Sequence, residues 1–154
     1  MDRELRGPGP AFLLAQVGAH AAARFAERLA PFGLTPAHAG ILWNLASQPN
    51  MTQRVLAEHL GAFPSRLVLL LDELEKKGLL ERRPDPKDRR SHALRLTPAG
   101  RAQLEKLGTI ARQHQDDLCA ALSDTERNQL RELLVKIAKQ QDLRARVHPG
   151  FRRL

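Results

Sequence analysis

Residues 52–100 are punctuated so closely that few local arrangements satisfy them. Thr52, followed by Leu56, Ala57 and Leu60, predicts a short helix with a threonine N-cap. Gly61 supplies the left-handed exit such a helix favours. Pro64 suits the first turn of a second helix. Leu67, Leu70, Leu71 and Leu74 then recur at i, i+3, i+4 and i+7, which is one core-facing stripe, and Gly78 ends it. Residues 80–83 and 93–97 alternate like two strands, with Leu94 and Leu96 inward and Arg95 outward. Pro84 and Pro86 are expected to keep the stretch between them from regular strand or helix. The sum is helix, tight turn, helix, and a ribbon with a basic tip. A helix so placed fits the major groove of B-form DNA, and the ribbon beside it can reach the neighbouring minor groove.

Charge agrees with that geometry. The chain carries a formal net charge of +8. The excess sits in residues 81–98 (+3) and 143–154 (+4), while the helical remainder is nearly neutral. Concentrated positive charge attracts polyanions. Aromatic residues make up 4% of the chain and there is no tyrosine. Single-strand and RNA binders stack bases on exposed rings, so duplex DNA is the better target.

Other classes find little support. No apolar run approaches the roughly 18 residues that span a bilayer. The first ten residues are charged and rich in proline and glycine, without a signal-peptide pattern, so a cytoplasmic location with no membrane partner is expected. Cys119 is the one cysteine, which excludes an internal disulfide, and its apolar neighbours predict an inert thiol. The six histidines show no paired ligand spacing. There is no phosphate-binding glycine loop, nucleophile elbow or zinc signature, so neither catalysis nor a cofactor or metal is expected.

Helices flank the central unit. Residues 11–30 predict the first, with Leu14, Gly18, Ala22, Phe25 and Leu29 as a narrow buried stripe ended by Pro31. Thr35-Pro36 starts a second, with Ile41, Leu42 and Leu45 on its apolar face. Thr97-Pro98 repeats that signal for a long fifth helix. Ser123 and Glu126 form a capping box for a sixth, lined by Leu130, Leu133, Leu134 and Ile137. Past Asp142 the arginine-rich chain is expected to fray. The fold class is therefore mainly α with a small two- to three-stranded wing. Residues 1–154 form one domain: a winged helix-turn-helix unit (34–98) between dimerisation helices (11–33 and 99–142), then a basic tail (143–154). Helices with apolar stripes and little to cover most simply bury each other in a symmetric dimer.

In order, Leu34-Thr35-Pro36, Leu56-Ala57-Glu58-His59-Leu60-Gly61, the run from Leu70 through Leu79, and Asp85-Pro86-Lys87-Asp88-Arg89-Arg90 with Leu94-Arg95-Leu96-Thr97-Pro98-Ala99-Gly100 make residues 34–100 resemble the MarR family of winged helix-turn-helix transcription regulators. The resemblance implies an intertwined homodimer and a pseudo-palindromic double-stranded operator. It also implies repression relieved by a small aromatic or phenolic effector. The chain departs from the pattern at Phe63, where a polar cap is frequent. Leu69 and Glu73 also depart, each standing where arginine is frequent.

Roles follow by position. Arg66 suits a bidentate guanine contact, and Ser65 with its amide suits phosphate. Val68 and Leu69 face away from the leucine stripe, toward thymine methyl groups or a neighbouring loop. Arg89 and Arg90 suit a narrow A·T-rich minor groove, with Asp88 pairing an arginine to hold the hairpin. Arg54, Arg82, Arg83, Lys87 and Arg95 are candidate phosphate contacts, which position rather than specify. The resemblance points to His20, His38, Ala39 and Trp43 as walls of an effector pocket; as residues they read equally as ordinary core and boundary positions. The competing function is a winged-helix protein-interaction module without specific DNA binding, with Val68 and Leu69 on the partner surface.

Overall fold

A computed structural model describes residues 7–144, 146–148 and 151. Helix α1 (Pro10–Leu29) ends in a single 3₁₀ turn (Ala30–Phe32), and Gly33 turns the chain at φ +64°. Helices α2 (Pro36–Ser47), α3 (Gln53–Leu60) and α4 (Pro64–Lys76) follow. Next come strands β1 (Leu80–Asp85) and β2 (Asp88–Leu96), then α5 (Pro98–Leu118) and α6 (Asp124–Gln140).

The caps fall where their residues require. Thr52, Thr97 and Ser123 accept the third amide of α3, α5 and α6, and Glu126 returns the bond to complete the box at α6. That contact holds the Glu126 carboxyl below its ordinary range, because the Ser123 amide donates to its charged form. Gly61 and Gly78 adopt the left-handed angles expected of them.

The core lies under the central unit. Leu29, Leu42, Leu56, Leu60, Leu67, Leu71, Leu74, Leu80, Leu94 and Leu107 are fully enclosed. They come from α1 to α5 and both strands; α6 contributes no buried residue. Two expected stripes are therefore not buried within one chain. Leu14 is 40% exposed and Gly18 is open, so only the C-terminal half of α1 packs on this chain's own core. Leu130, Leu133, Leu134 and Ile137 of α6 are likewise exposed. Their periodicity is amphipathic as read, but no element among the described residues buries them.

The ribbon is longer than the sequence suggests. β1 runs through Pro84 to Asp85 and pairs antiparallel with β2, leaving only Pro86-Lys87 in the turn. Pro84 is tolerated because the sheet has two strands, so each is an edge, and the register slips just after it. An isolated bridge between Thr52 and Ala93 supplies the suggestion of a third strand.

The tail does not simply fray. Val147 packs against the core and Phe151 is 1% exposed within it. The expectation rested on charge, and it overlooked Val147 and Phe151 among the arginines.

Candidate nucleic-acid interface

Helix α4 presents its N-terminal turn to solvent. Phe63, its N-cap residue, gives no side-chain cap; its carbonyl accepts the Arg66 and Leu67 amides at 3.1 Å, so in this first turn the Ser65 amide is the one open to an external acceptor. Ser65 and Arg66 are exposed on that turn, while Leu67 and Leu71 anchor the opposite side in the core. Leu69 is 63% exposed and Val68 half-buried.

The ribbon is held rigidly at its root. Arg82 ion-pairs with both Asp72 (2.6 Å) and Glu75 of α4, and its backbone amide donates to Glu75. Thr97 bonds back to Gly78 and Leu79, and its hydroxyl caps α5 through the Gly100 amide. A Cβ on Gly100 would sit 1.9 Å from the Leu79 carbonyl oxygen, so only glycine lets the start of α5 close on the wing root.

At the tip, Asp85 accepts the Lys87 amide and Asp88 accepts the Arg90 amide, both at 2.9 Å. Asp88 thus shapes the hairpin through backbone, and not through an arginine side chain as expected. Two carboxylates spent on the turn leave the arginine side chains outward: Arg89 and Arg90 are exposed. Arg54 of α3 and Arg90 face one open cleft of about 610 Å³ between α3 and the ribbon.

The cations separate into two groups. Arg82 is only 19% exposed and fully engaged, so it braces α4 against β1 and is not free for phosphate. Arg83 pairs with Glu81 (2.8 Å), Arg54 with Glu58 (3.4 Å), and Arg95 Nε donates to the side-chain Oδ1 of Asn50 (2.6 Å). Among the described residues no ion pair engages Arg66, Lys87, Arg89 or Arg90.

The four effector candidates do not share one environment. His20 is exposed on α1, and Ala39 is fully buried. His38 is 3% exposed and completes a capping box with Thr35: its Nδ1 accepts the Thr35 amide at 3.0 Å. Nε2 therefore carries the proton and donates to Glu73 at 2.7 Å, tying α2 to α4. Both ring nitrogens are used within the chain. Burial pushes this imidazole below its ordinary range, against the opposing pull of Glu73. Trp43 is half-buried and stacks at 6.4 Å on Phe25, which in turn meets His114 at 5.3 Å. Sequence reading missed His114 as Phe25's neighbour, because the two lie on helices far apart in the chain. Cys119 is a free, half-buried thiol at the end of α5. Among the described residues no cluster of side chains is arranged to hold a metal, and no helix is long and apolar enough to cross a membrane.

Comparison with known proteins bears on this geometry. A sequence model of the MarR family matches residues 32–91. A putative transcriptional regulatory protein for the hcr operon of Thauera aromatica is 35% identical over 108 residues, 70% of this chain and 65% of that protein, just short of two thirds of its length. The crystal structure of a MarR-family transcriptional regulator from Rhodococcus sp. RHA1 superposes with a TM-score of 0.72 at 32% identity, covering 83% of this chain and 91% of that one. A mutant MarR from E. coli, crystallised with operator DNA, gives a TM-score of 0.72 at 27% identity over 82% and 91% of the two chains. Sequence match and superposition agree: the chain belongs to the MarR family of transcriptional regulators.

Proposed function

We propose that this protein is a homodimeric regulator that binds double-stranded DNA sequence-specifically at a pseudo-palindromic operator and acts as a repressor released by a small aromatic or phenolic ligand. The observation that carries the DNA-binding part is the set of unpaired cations: Arg66 on the open turn of α4, and Lys87, Arg89 and Arg90 at the ribbon tip. An unpaired arginine breaks no ion pair when it turns to an anion, whereas Arg82 would first have to abandon two carboxylates.

In this reading the N-terminal turn of α4 enters the major groove. Arg66 donates to O6 and N7 of a guanine, while the Ser65 hydroxyl and amide hold a phosphate. Leu69, with Val68 beside it, meets thymine methyl groups. Arg90 and Arg89 enter the adjacent minor groove. Arg54, Arg83 and Arg95 contact phosphate after exchanging their exposed partners. The exposed apolar residues of α1 and α6, Phe12, Val17 and Leu133 among them, are the surface on which two chains associate. Trp43, the one tryptophan, reports an effector that enters beside α2. His38 shapes that region through its bonds to Thr35 and Glu73 and offers no nitrogen to the effector.

A gel shift with random duplex across a salt series tests the reading. Binding whose logarithm falls linearly with the logarithm of salt supports it, because each neutralised phosphate releases a counterion. Exposed Phe63 (58%), Val55 (44%) and Leu69 (63%) favour, as a second reading, an interaction module that uses the same face for a protein. That reading predicts no shift at any salt.

A further inference from the structure

The C-terminal segment folds back over α3 and α2. The Arg144 guanidinium donates to the carbonyls of Glu58 and His59, at the end of α3 where the helix runs out of amide donors. The Val147 amide bonds to the Arg144 carbonyl (3.4 Å) and the Phe151 amide to that of His148 (3.2 Å). This strap ends with Phe151 in the core at 1% exposure.

The seat of that ring is unusual in two respects. Among the described residues Phe151 is the one aromatic in a buried cluster that is otherwise aliphatic. It also lies directly on Gly40, in the middle of α2: a Cβ there would stand 3.0 Å from ring atom Cε2 and 3.3 Å from Cζ. Gly40 has no positive φ that would require glycine. A glycine inside a buried helix weakens it, and the room it leaves for the ring is what this one provides.

We propose that the notch over Gly40 is a binding site for a single uncharged aromatic ring, that Phe151 occupies it in cis, and that its occupancy decides whether the strap stays on the helix-turn-helix. The buried cluster that the ring joins is otherwise aliphatic, a setting that disfavours a carboxylate or phosphate. The ring, Val147 against the core and the two Arg144 bonds are among what fastens the strap. Phe151 follows the end of α6 by eleven residues, a tether short enough to give the ring an effective concentration on the order of millimolar.

The test needs no DNA, so its outcome stands apart from the DNA-binding reading. Phe151→Ala and Gly40→Ala are compared with the parent by limited trypsin digestion, following cleavage after Arg144 and Arg146 by mass spectrometry. Fluorobenzene is titrated against each protein by ¹⁹F NMR. The expected result is cleavage at least tenfold faster in Phe151→Ala and several-fold faster in Gly40→Ala, with helicity retained. Saturable fluorobenzene binding is expected in Phe151→Ala and not in the parent. Parental cleavage rates in both variants would overturn the proposal. So would fluorobenzene binding equally to parent and Phe151→Ala. Should Phe151→Ala fail to fold, Gly40→Ala alone decides: it leaves Phe151 in place, and only a ring seated on Gly40 would be loosened by it.

Discussion

Arg82 lies between Asp72 and Glu75, while Arg66 stands in solvent at the start of α4. Sequence position makes both candidates for DNA, because spacing gives the charge of an arginine but not its partners. The two therefore predict opposite phenotypes. Arg66→Ala should weaken operator binding by about 1–3 kcal/mol and relax base preference at one position, with unfolding unchanged. Arg82→Ala should leave base preference alone and lower stability by about 1 kcal/mol, since it removes the brace between α4 and β1 and leaves two carboxylates facing each other. Parallel titration on operator and urea melts separate them. His38 makes a pH prediction. Burial favours its neutral form, so its folded-state pKa lies below the unfolded value of about 6.5. The stability it contributes is complete above that value and is lost as pH falls through the folded pKa. His114, shifted by burial and by Arg28 and Arg24, and His148, shifted by burial, act in the same direction. The urea midpoint should therefore fall between pH 7.5 and 5.0, and His38→Gln should flatten part of that fall. A midpoint that rises on acidification would contradict the assignment.

At the scale of elements, helices with local signals were legible. Thr52, Pro64, Gly61 and Gly78 act within one turn of their own position, so their meaning needs no tertiary knowledge. The ribbon was legible in existence and not in length. Whether Pro84 breaks a strand depends on whether its missing amide faces a neighbour, and only the two-stranded topology answers that. The reason for Gly100 was equally hidden, because the atom it makes room for belongs to Leu79. Gly100→Ala should cost about 3 kcal/mol or more, as a Cβ cannot share space with the Leu79 carbonyl and the wing root must move. A thermal melt within 2 °C of the parent would show that α5 closes on the wing with slack to spare. The tail escaped for a different reason: a net charge of +4 over residues 143–154 obscured a valine and a phenylalanine with a place in the core.

The whole molecule is built in two parts with unequal covering. The winged unit encloses its leucines, and α5 closes over it through Leu107 and Ile110. The N-terminal half of α1 and all of α6 keep their apolar sides open, Phe12 at 59% and Leu133 at 60% exposed. The amphipathic pattern of these helices was readable, whereas the identity of what covers them was not, since a covering chain leaves no trace in a single sequence. Two copies joined through these helices would present two α4 turns and four tip arginines to one side of a duplex. The same cations predict that raising salt from 50 to 200 mM weakens binding by about 10³-fold or more, if the two subunits together meet six or more phosphates. The most direct test is selection of bound duplexes from a random pool, with the stoichiometry of the recovered complexes determined. The account predicts an inverted repeat whose half-sites lie about one helical turn apart, roughly 10–10.5 base pairs centre to centre, bound by one dimer. Recovery of an isolated half-site bound by one chain, or of no enriched sequence at all, would contradict it.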